Sequence, residues 1–269
     1  MYSMTVFLFF LGMAPGLIFA GKKGKSMLLK TKVADLLSKM TLEEKVGQMT
    51  QVTIDVVADH QRNPGGWQKL DTTRLREAII TYHVGSILNV MGSAYSLENW
   101  HAIINEIQDV ATKETRLGIP VIYGIDAIHG ANYTTGATLF PQSIGMAATW
   151  NPDLVKEEAT ITAYEVRASG IPWDFNPVLG AGRQPLWSRL WETYGEDAYL
   201  ASTMARAYIK GLQGDDNNVS REDKVAACIK HYLGYSFPFT GKDRTPAYIP
   251  ERMLREHFLP IFKAGVDAG

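Results

Sequence analysis

The chain has 269 residues, of which 46% are hydrophobic and 20% charged, the proportions of a globular protein and not of a disordered or fibrous one. Its 27 basic and 28 acidic residues are intermixed and give a formal net charge of −1. No basic stripe is available to neutralise a phosphate backbone, so nucleic acid is not an expected partner.

Val6 to Ala20 is dominated by apolar residues and is followed at once by the basic cluster Gly21 to Lys25. The pattern is that of a signal peptide over residues 1–20 with cleavage near Ala20, although MYSMT lacks Lys and Arg and Ile18 stands where a small residue is usual. An uncleaved anchor is the competing interpretation. Cleavage would send the mature protein into the secretory pathway, to be secreted, periplasmic or lysosomal, with no membrane attachment left. Asn132 (NYT) and Asn218 (NVS) then become candidate glycan sites, and Asn218, in a polar stretch, is the better one.

Past the leader, helix-like and strand-like segments alternate. Thr41 and Glu44 have the spacing of a capping box, so a helix opens there and leads into the run Gly47 to Val57. Asp71 caps a helix carrying Leu75, Ile79 and Tyr82 on one face, ahead of a strand from Val84 to Val90. Trp100, Ile103, Ile104 and Ile107 fall at helical spacing, and Ile119 to Asp126 is strand-like. Asn151 before Pro152 starts a helix whose apolar residues are Leu154, Ile161 and Val166, followed by a strand from Ile171 to Val178. Ala198 to Gly211 is helical, Val225 to Leu233 a buried strand, and Glu251 to Gly265 the next helix.

Strand then helix, repeated about five times, predicts an α/β fold of parallel β/α units. Hydrophobic pattern alone does not separate a doubly wound sheet from a barrel. The barrel is favoured because chemically rich residues cluster at the C-terminal ends of several strands, where a β/α barrel keeps its active site. Gly180-Ala181-Gly182 follows a strand but lacks the third glycine of a dinucleotide fingerprint. There is no HExxH, CxxC or GxSxG, so neither zinc nor an elbow serine is indicated. Cys228, the single cysteine, can form no internal disulfide and is expected to be a buried thiol.

Three strand ends carry the candidate chemistry. In YGIDAIHGAN, Asp126 would point into the barrel mouth, although a helix cap or strand-end bond competes for an isolated aspartate, and His129 is expected to be structural. In CIKHYLG, Lys230 is costly to bury without a partner, and adjacent Lys230 and His231 reach one ligand only if the strand is ending there. In NPVLGAGRQPLWSRLWETYGED, two fixed guanidinium forks, Arg183 and Arg189, stand among tryptophans and acids. That combination suits a pyranose, which offers hydroxyls to charged groups and a C–H face to indole rings. The competing interpretation is a solvated helix start in which an arginine pairs with Glu192.

Together, YGIDAIHG, LFPQSIG, the long arginine segment, KHYLGYS and FTGKDRTPAYIPERMLREHFLPIF resemble glycoside hydrolase family 3, in its β-glucosidase and exo-glucanase group, which includes lysosomal-type β-glucosidases. The resemblance runs from about Val33 to the end, leaving residues 21–32 as a basic linker and 33–269 as the barrel domain. It implies a (β/α)8 TIM-type barrel, here incomplete at about the first five β/α units. The mouth would bind the non-reducing terminal glucose of a small-molecule or oligosaccharide β-glucoside. By motif position Asp126, Arg189, Lys230 and His231 would hydrogen-bond the sugar hydroxyls, and Glu192 would orient Arg189. The chemistry would be a retaining hydrolysis of terminal β-D-glucosyl residues with two carboxylates and no metal or organic cofactor.

The family's aspartate nucleophile lies in an SDW-type motif that this sequence lacks, and its acid/base glutamate belongs to a second domain. Both are expected beyond Gly269. Asp267 is not a substitute, because AGVDAG reads as a helix end. The chain is thus expected to be an N-terminal fragment that is inactive alone, with the missing C-terminal part of its own chain as a partner. Two alternatives stand beside this. One is a family 3 β-N-acetylhexosaminidase, disfavoured because Tyr235 occupies the place of its acid/base histidine. The other is a non-catalytic carbohydrate-binding protein.

Overall fold

The computed structural model describes residues 27, 29–60 and 67–269, so the expected leader and its cleavage site at Ala20 lie outside the described residues. The chain divides into two compact units, Met1–Lys45 and Val46–Gly269. In the first, residues 29–39 form helix α1, so the end of the expected basic linker is helical. Helix α2 (Leu42–Gln48) starts with the capping box that its sequence spells. The Thr41 amide donates to Glu44 Oε2 at 2.8 Å and the Glu44 amide to Thr41 Oγ1 at 3.2 Å, satisfying two donors that a helix start leaves free.

The second unit is organised on five strands: β1 (Gln51–Thr53), β2 (Ser86–Leu88), β3 (Ile122–Ile125), β4 (Trp173–Asp174) and β5 (Ala226–Ala227). They lie in the order β1-β2-β3-β4-β5, and every neighbouring pair is parallel. This order decides what the hydrophobic pattern left open. A doubly wound sheet reverses direction at a switch point, whereas a β/α barrel lays each strand beside the last. The fold is therefore α/β of the TIM-barrel type, with five of its β/α units described.

The regular strands are shorter than the apolar runs that contain them. Of Val225 to Leu233, only Ala226–Ala227 is regular strand, yet pairing with the preceding strand continues beyond it. Cys228 N–H donates to the Asn176 carbonyl at 3.1 Å, Lys230 N–H to that of Pro177 at 3.2 Å, and Leu179 N–H to that of Lys230 at 2.6 Å. Lys230 thus sits at the C-terminal end of a longer, irregular ladder.

The helices mostly begin where their caps place them. Asp71 Oδ1 accepts from the Thr73 and Arg74 amides at the start of α3 (Thr72–Arg76), and Asn151 caps α6 (Pro152–Ala168) with Pro152 in the first turn. Helix α4 (Leu97–Lys113) buries Trp100, Ile103, Ile104 and Ile107 as its spacing predicts. Tyr95 and Tyr123 close on Trp100 at ring separations of 4.9 and 5.6 Å, which seats the helix on β3.

Two expectations about helix faces need correction. Tyr82 is 63% exposed, because α3 widens into a π turn over Glu77–Thr81 that advances the phase and turns Tyr82 off the face shared by Leu75 and Ile79. Leu154 is 43% exposed and Ile161 half-buried; the inner face of α6 is instead Val155, Glu158, Ala159, Thr162, Ala163 and Val166. Those residues are small because α7 (Ala198–Gln213) approaches closely: a Cβ on Gly211 would stand 2.5 Å from both Ala159 Cβ and the Lys156 carbonyl oxygen. Helix α5 (Ser143–Ala147) precedes α6, and the last helical segment runs from α8 (Glu251–Met253) through a π turn into α9 (Leu259–Ala268).

Glu158 on that inner face is a buried acid whose carboxyl is raised to about 8 by burial. Its folded pKa lies above the unfolded value of 4.5, so the folded state holds a proton that the unfolded chain releases, and stability falls as pH rises between them. Glu158→Gln is expected to flatten that dependence and to add on the order of 1 to a few kcal/mol at pH 8. Urea denaturation of both proteins at pH 5 and pH 8 checks this; equal slopes against pH would contradict it.

Candidate functional site

Three strand ends meet at one rim. Asp126 follows β3 directly, the arginine segment follows β4, and Lys230 and His231 end the β5 ladder. Parallel strands in sequential order put all of these ends on the same side of the sheet, so residues far apart in the chain become neighbours.

Lys230 Nζ donates to Asp126 Oδ1 in an ion pair, with the lysine side chain only 13% exposed. This answers the burial cost of Lys230, and it places Asp126 in the mouth and not at a helix cap. Past Lys230 the backbone leaves strand geometry, with cis peptide bonds at Lys230–His231 and Tyr232–Leu233.

Arg189 precedes a 3-10 turn, Leu190–Glu192, that folds Glu192 back onto it. Arg189 Nε and Nη2 each donate to a Glu192 carboxylate oxygen at 2.7 Å, and Nη1 donates to Tyr235 Oη at 3.3 Å. The local pairing that competed with a ligand role is therefore real, but the pair is enclosed, with the Glu192 side chain 8% exposed. Donating to Glu192 raises the arginine further above its ordinary range. A guanidinium has five N–H protons, so this set leaves one on each terminal nitrogen for another acceptor.

His231 adjoins Lys230 in the chain and shares Tyr235 as a neighbour with Arg189. Its ring is 4.5 Å from that of Tyr235, and its buried Nδ1 has no hydrogen-bond partner among the described residues. Burial, aided by the Arg189 and Lys230 charges and opposed by Asp126 and Asp243, lowers the imidazole to about 4. At neutral pH it is therefore uncharged, with one nitrogen able to donate and one to accept.

Asp243, to which the sequence assigned no role, ties further residues to this cluster. Tyr235 Oη and Trp187 Nε1 both donate to Asp243 Oδ1 at 2.8 Å, and the Trp187 and Tyr235 rings meet edge to face at 5.5 Å. Burial pushes the Asp243 carboxyl up, but these bonds and the Arg189 charge outweigh it and leave it below the usual range. The signal was FTGKDRTP, a polar segment with no helical or strand period between two apolar runs. The tyrosine that stands where a hexosaminidase histidine would be is thus a relay between Arg189 and Asp243.

Other expected features fall outside this cluster. His129 Nδ1 lies 3.2 Å from the Phe140 carbonyl, which makes it structural as expected. Arg183 makes no side-chain bond to the cluster residues, and Cys228 is half-buried and free, its thiol pushed up by burial. The glycines of Gly180-Ala181-Gly182 serve packing: a Cβ would meet Ser236 Cβ at 2.6 Å from Gly180 and Thr193 Oγ1 at 2.4 Å from Gly182. Asn132 is half-buried, and with its amide nitrogen turned to the Gly130 and Asp126 carbonyls it donates at 3.0 and 3.3 Å, whereas Asn218 is exposed. Asp267 ends α9 and pairs with Lys263 at 2.6 Å. Among the described residues no group of three or more His, Cys, Asp or Glu could hold a metal ion.

Residues 41–269 match the model of the glycosyl hydrolase family 3 N-terminal domain. The chain is 43% identical over 247 residues to the lysosomal beta glucosidase of Dictyostelium discoideum, covering 88% of this chain and 30% of that protein. It is 31% identical over 237 residues to the periplasmic beta-glucosidase of Salmonella typhimurium, with 88% and 28% covered. The crystal structure of the exo-1,3/1,4-beta-glucanase from a Pseudoalteromonas species superposes with a TM-score of 0.76 at 31% identity, over 90% of this chain and 29% of that one. The chain thus spans less than a third of the length of these relatives.

The charge balance around His231 gives a direct test. NMR titration of its ring protons should give a midpoint near 4, and Lys230→Met, which removes a repelling charge and frees Asp126, should move the midpoint up. A midpoint at the ordinary histidine value, unmoved by the substitution, would contradict this arrangement.

Proposed function

The chain belongs to glycosyl hydrolase family 3, and from that premise we propose that it supplies the sugar grip for retaining hydrolysis of terminal non-reducing β-D-glucosyl residues from β-glucosides or β-glucans. The observation that carries this is the convergence of two charge pairs, Lys230–Asp126 and Arg189–Glu192, on one neutral imidazole. Adjacent ring hydroxyls each donate and accept one bond. Asp126 beside Lys230 offers an acceptor and a donor side by side, His231 offers one of each, and Arg189 adds two fixed N–H donors.

In the transition state the sugar flattens toward an oxocarbenium ion, and a rigid hold on its hydroxyls directs binding energy to the anomeric carbon. Such a hold depends on charged groups that do not reorganise, and Glu192, Tyr235 and Asp243 fix Arg189 in that sense. The nucleophile and the acid/base group come from outside these residues in this account. The three carboxylates around His231 are all committed: Asp126 to Lys230, Glu192 to Arg189, and Asp243 to Trp187 and Tyr235.

Glucose titration by calorimetry tests the grip. Lys230→Ala and Arg189→Ala should each weaken binding by about tenfold or more, the scale of a lost charge-assisted contact, and Arg183→Ala far less. Equal losses at Arg183 and Arg189 in folded variants would mean that the wrong arginine has been chosen. The same protein should release no nitrophenol from nitrophenyl β-glucoside, and turnover there would place the nucleophile within these residues.

The route of the protein is proposed to be secretory or periplasmic, supported by the apolar leader and by relatives named lysosomal and periplasmic. N-terminal sequencing of the mature protein should begin just after Ala20, and a start at Met1 would contradict it.

A further inference from the structure

Asp174 takes no part in the grip, yet it reaches the residue next to Asp126. It ends β4 and is fully buried, and its Oδ1 accepts the Ala127 N–H at 3.0 Å. Two residues on, Asn176 Nδ2 donates to Tyr208 Oη at 2.6 Å and, at 3.4 Å, to the Ala127 carbonyl. On the other side of Asp126, the Phe175 amide donates to the Ile125 carbonyl at 2.8 Å. The backbone carrying Asp126 is therefore held before and after that residue by three consecutive residues, Asp174 to Asn176.

These bonds differ in what replaces them. Phe175 to Ile125 is a sheet bond that any residue at 175 except proline would make. The Ala127 amide depends on a side chain: Ala127 is buried, and a buried N–H without an acceptor is costly enough that the peptide would move to find one. That peptide joins Asp126 to Ala127, so a shift of it displaces the Asp126 backbone and draws its carboxylate away from Lys230.

We propose that Asp174 is a positioning residue of the sugar site, its Oδ1 fixing the Ala127 amide so that the Asp126 carboxylate is aimed at Lys230. The consequence for sugar binding rests on the function proposed above, whereas the aiming of Asp126 does not. Burial holds the Asp174 carboxyl well above its ordinary range, against the Ala127 bond and the Lys230 charge. Its hydrogen bond in this region is the one that Oδ1 accepts from the Ala127 amide. The Ala127 amide calls for an acceptor oxygen at position 174, and an amide supplies one as an acid does.

The test uses Asp174→Asn, which keeps a carbonyl oxygen, beside Asp174→Ala and Asp174→Val, which have none. Two readouts are taken: glucose affinity, and the acetylation rate of Lys230 relative to Lys156 and Lys263, measured by mass spectrometry with acetic anhydride. Asp174→Ala or Val should speed Lys230 acetylation at least about threefold and raise the glucose Kd about tenfold or more, while Asp174→Asn stays within about threefold of wild type in both. A folded Ala or Val variant with wild-type Lys230 reactivity would overturn the proposal. So would a folded Asn variant whose Lys230 reacts faster, a test that stands even where Ala and Val do not fold. If wild type fails to bind glucose while Lys230 reactivity follows the expected order, the sugar reading fails and the positioning role stands.

Discussion

An ammonium group in an apolar strand needs an anion, and Lys230 finds its anion 104 residues earlier in Asp126. That pairing requires the ends of β3 and β5 to lie one strand apart on the same side of the sheet. Sequential parallel order supplies this geometry, with β4 between the two. The arginine segment follows the strand between them, and the 3-10 turn at Leu190–Glu192 folds Glu192 onto Arg189, which also reaches Tyr235.

The charges at this rim are graded by burial. Lys230 and Arg189 are each paired with their own carboxylate. His231, half-buried and subject to both cations, is held neutral, and burial pushes the Asp174 carboxyl upward. An alternation of paired charge and neutral polar group sets donors and acceptors at fixed positions without leaving a bare charge in a dry site. The Trp187–Tyr235–Asp243 cluster extends the same logic outward, since it braces Arg189 through one hydroxyl.

Much of this was legible from residue types. Thr41, Asp71 and Asn151 announced helix starts because their side chains answer a local need, and Trp100 with its isoleucines announced a face because the helix there is regular. Lys230 stood out because nothing bland explains a lysine in VAACIK. Tyr82 was misplaced because one π turn shifts the phase of everything after it. The inner face of α6 was misread because its Ala, Thr and Glu residues are chosen for the close approach of α7 and carry little apolar signal. Asp243 and Asp174 were silent for another reason. Their importance lies in what they accept from Trp187, 56 residues away, from Tyr235, and from Ala127, 47 residues away, none of which carries a mark of that pairing.

The central claim is that residues from three β/α loops hold one pyranose, and a crystal structure of the protein with glucose tests it most directly. The account predicts a single sugar ring with hydroxyls within hydrogen-bond distance of Asp126, Lys230, His231 and Arg189, and with the Lys230–Asp126 and Arg189–Glu192 pairs intact. Glucose bound elsewhere on the protein, with those four side chains untouched, would contradict it.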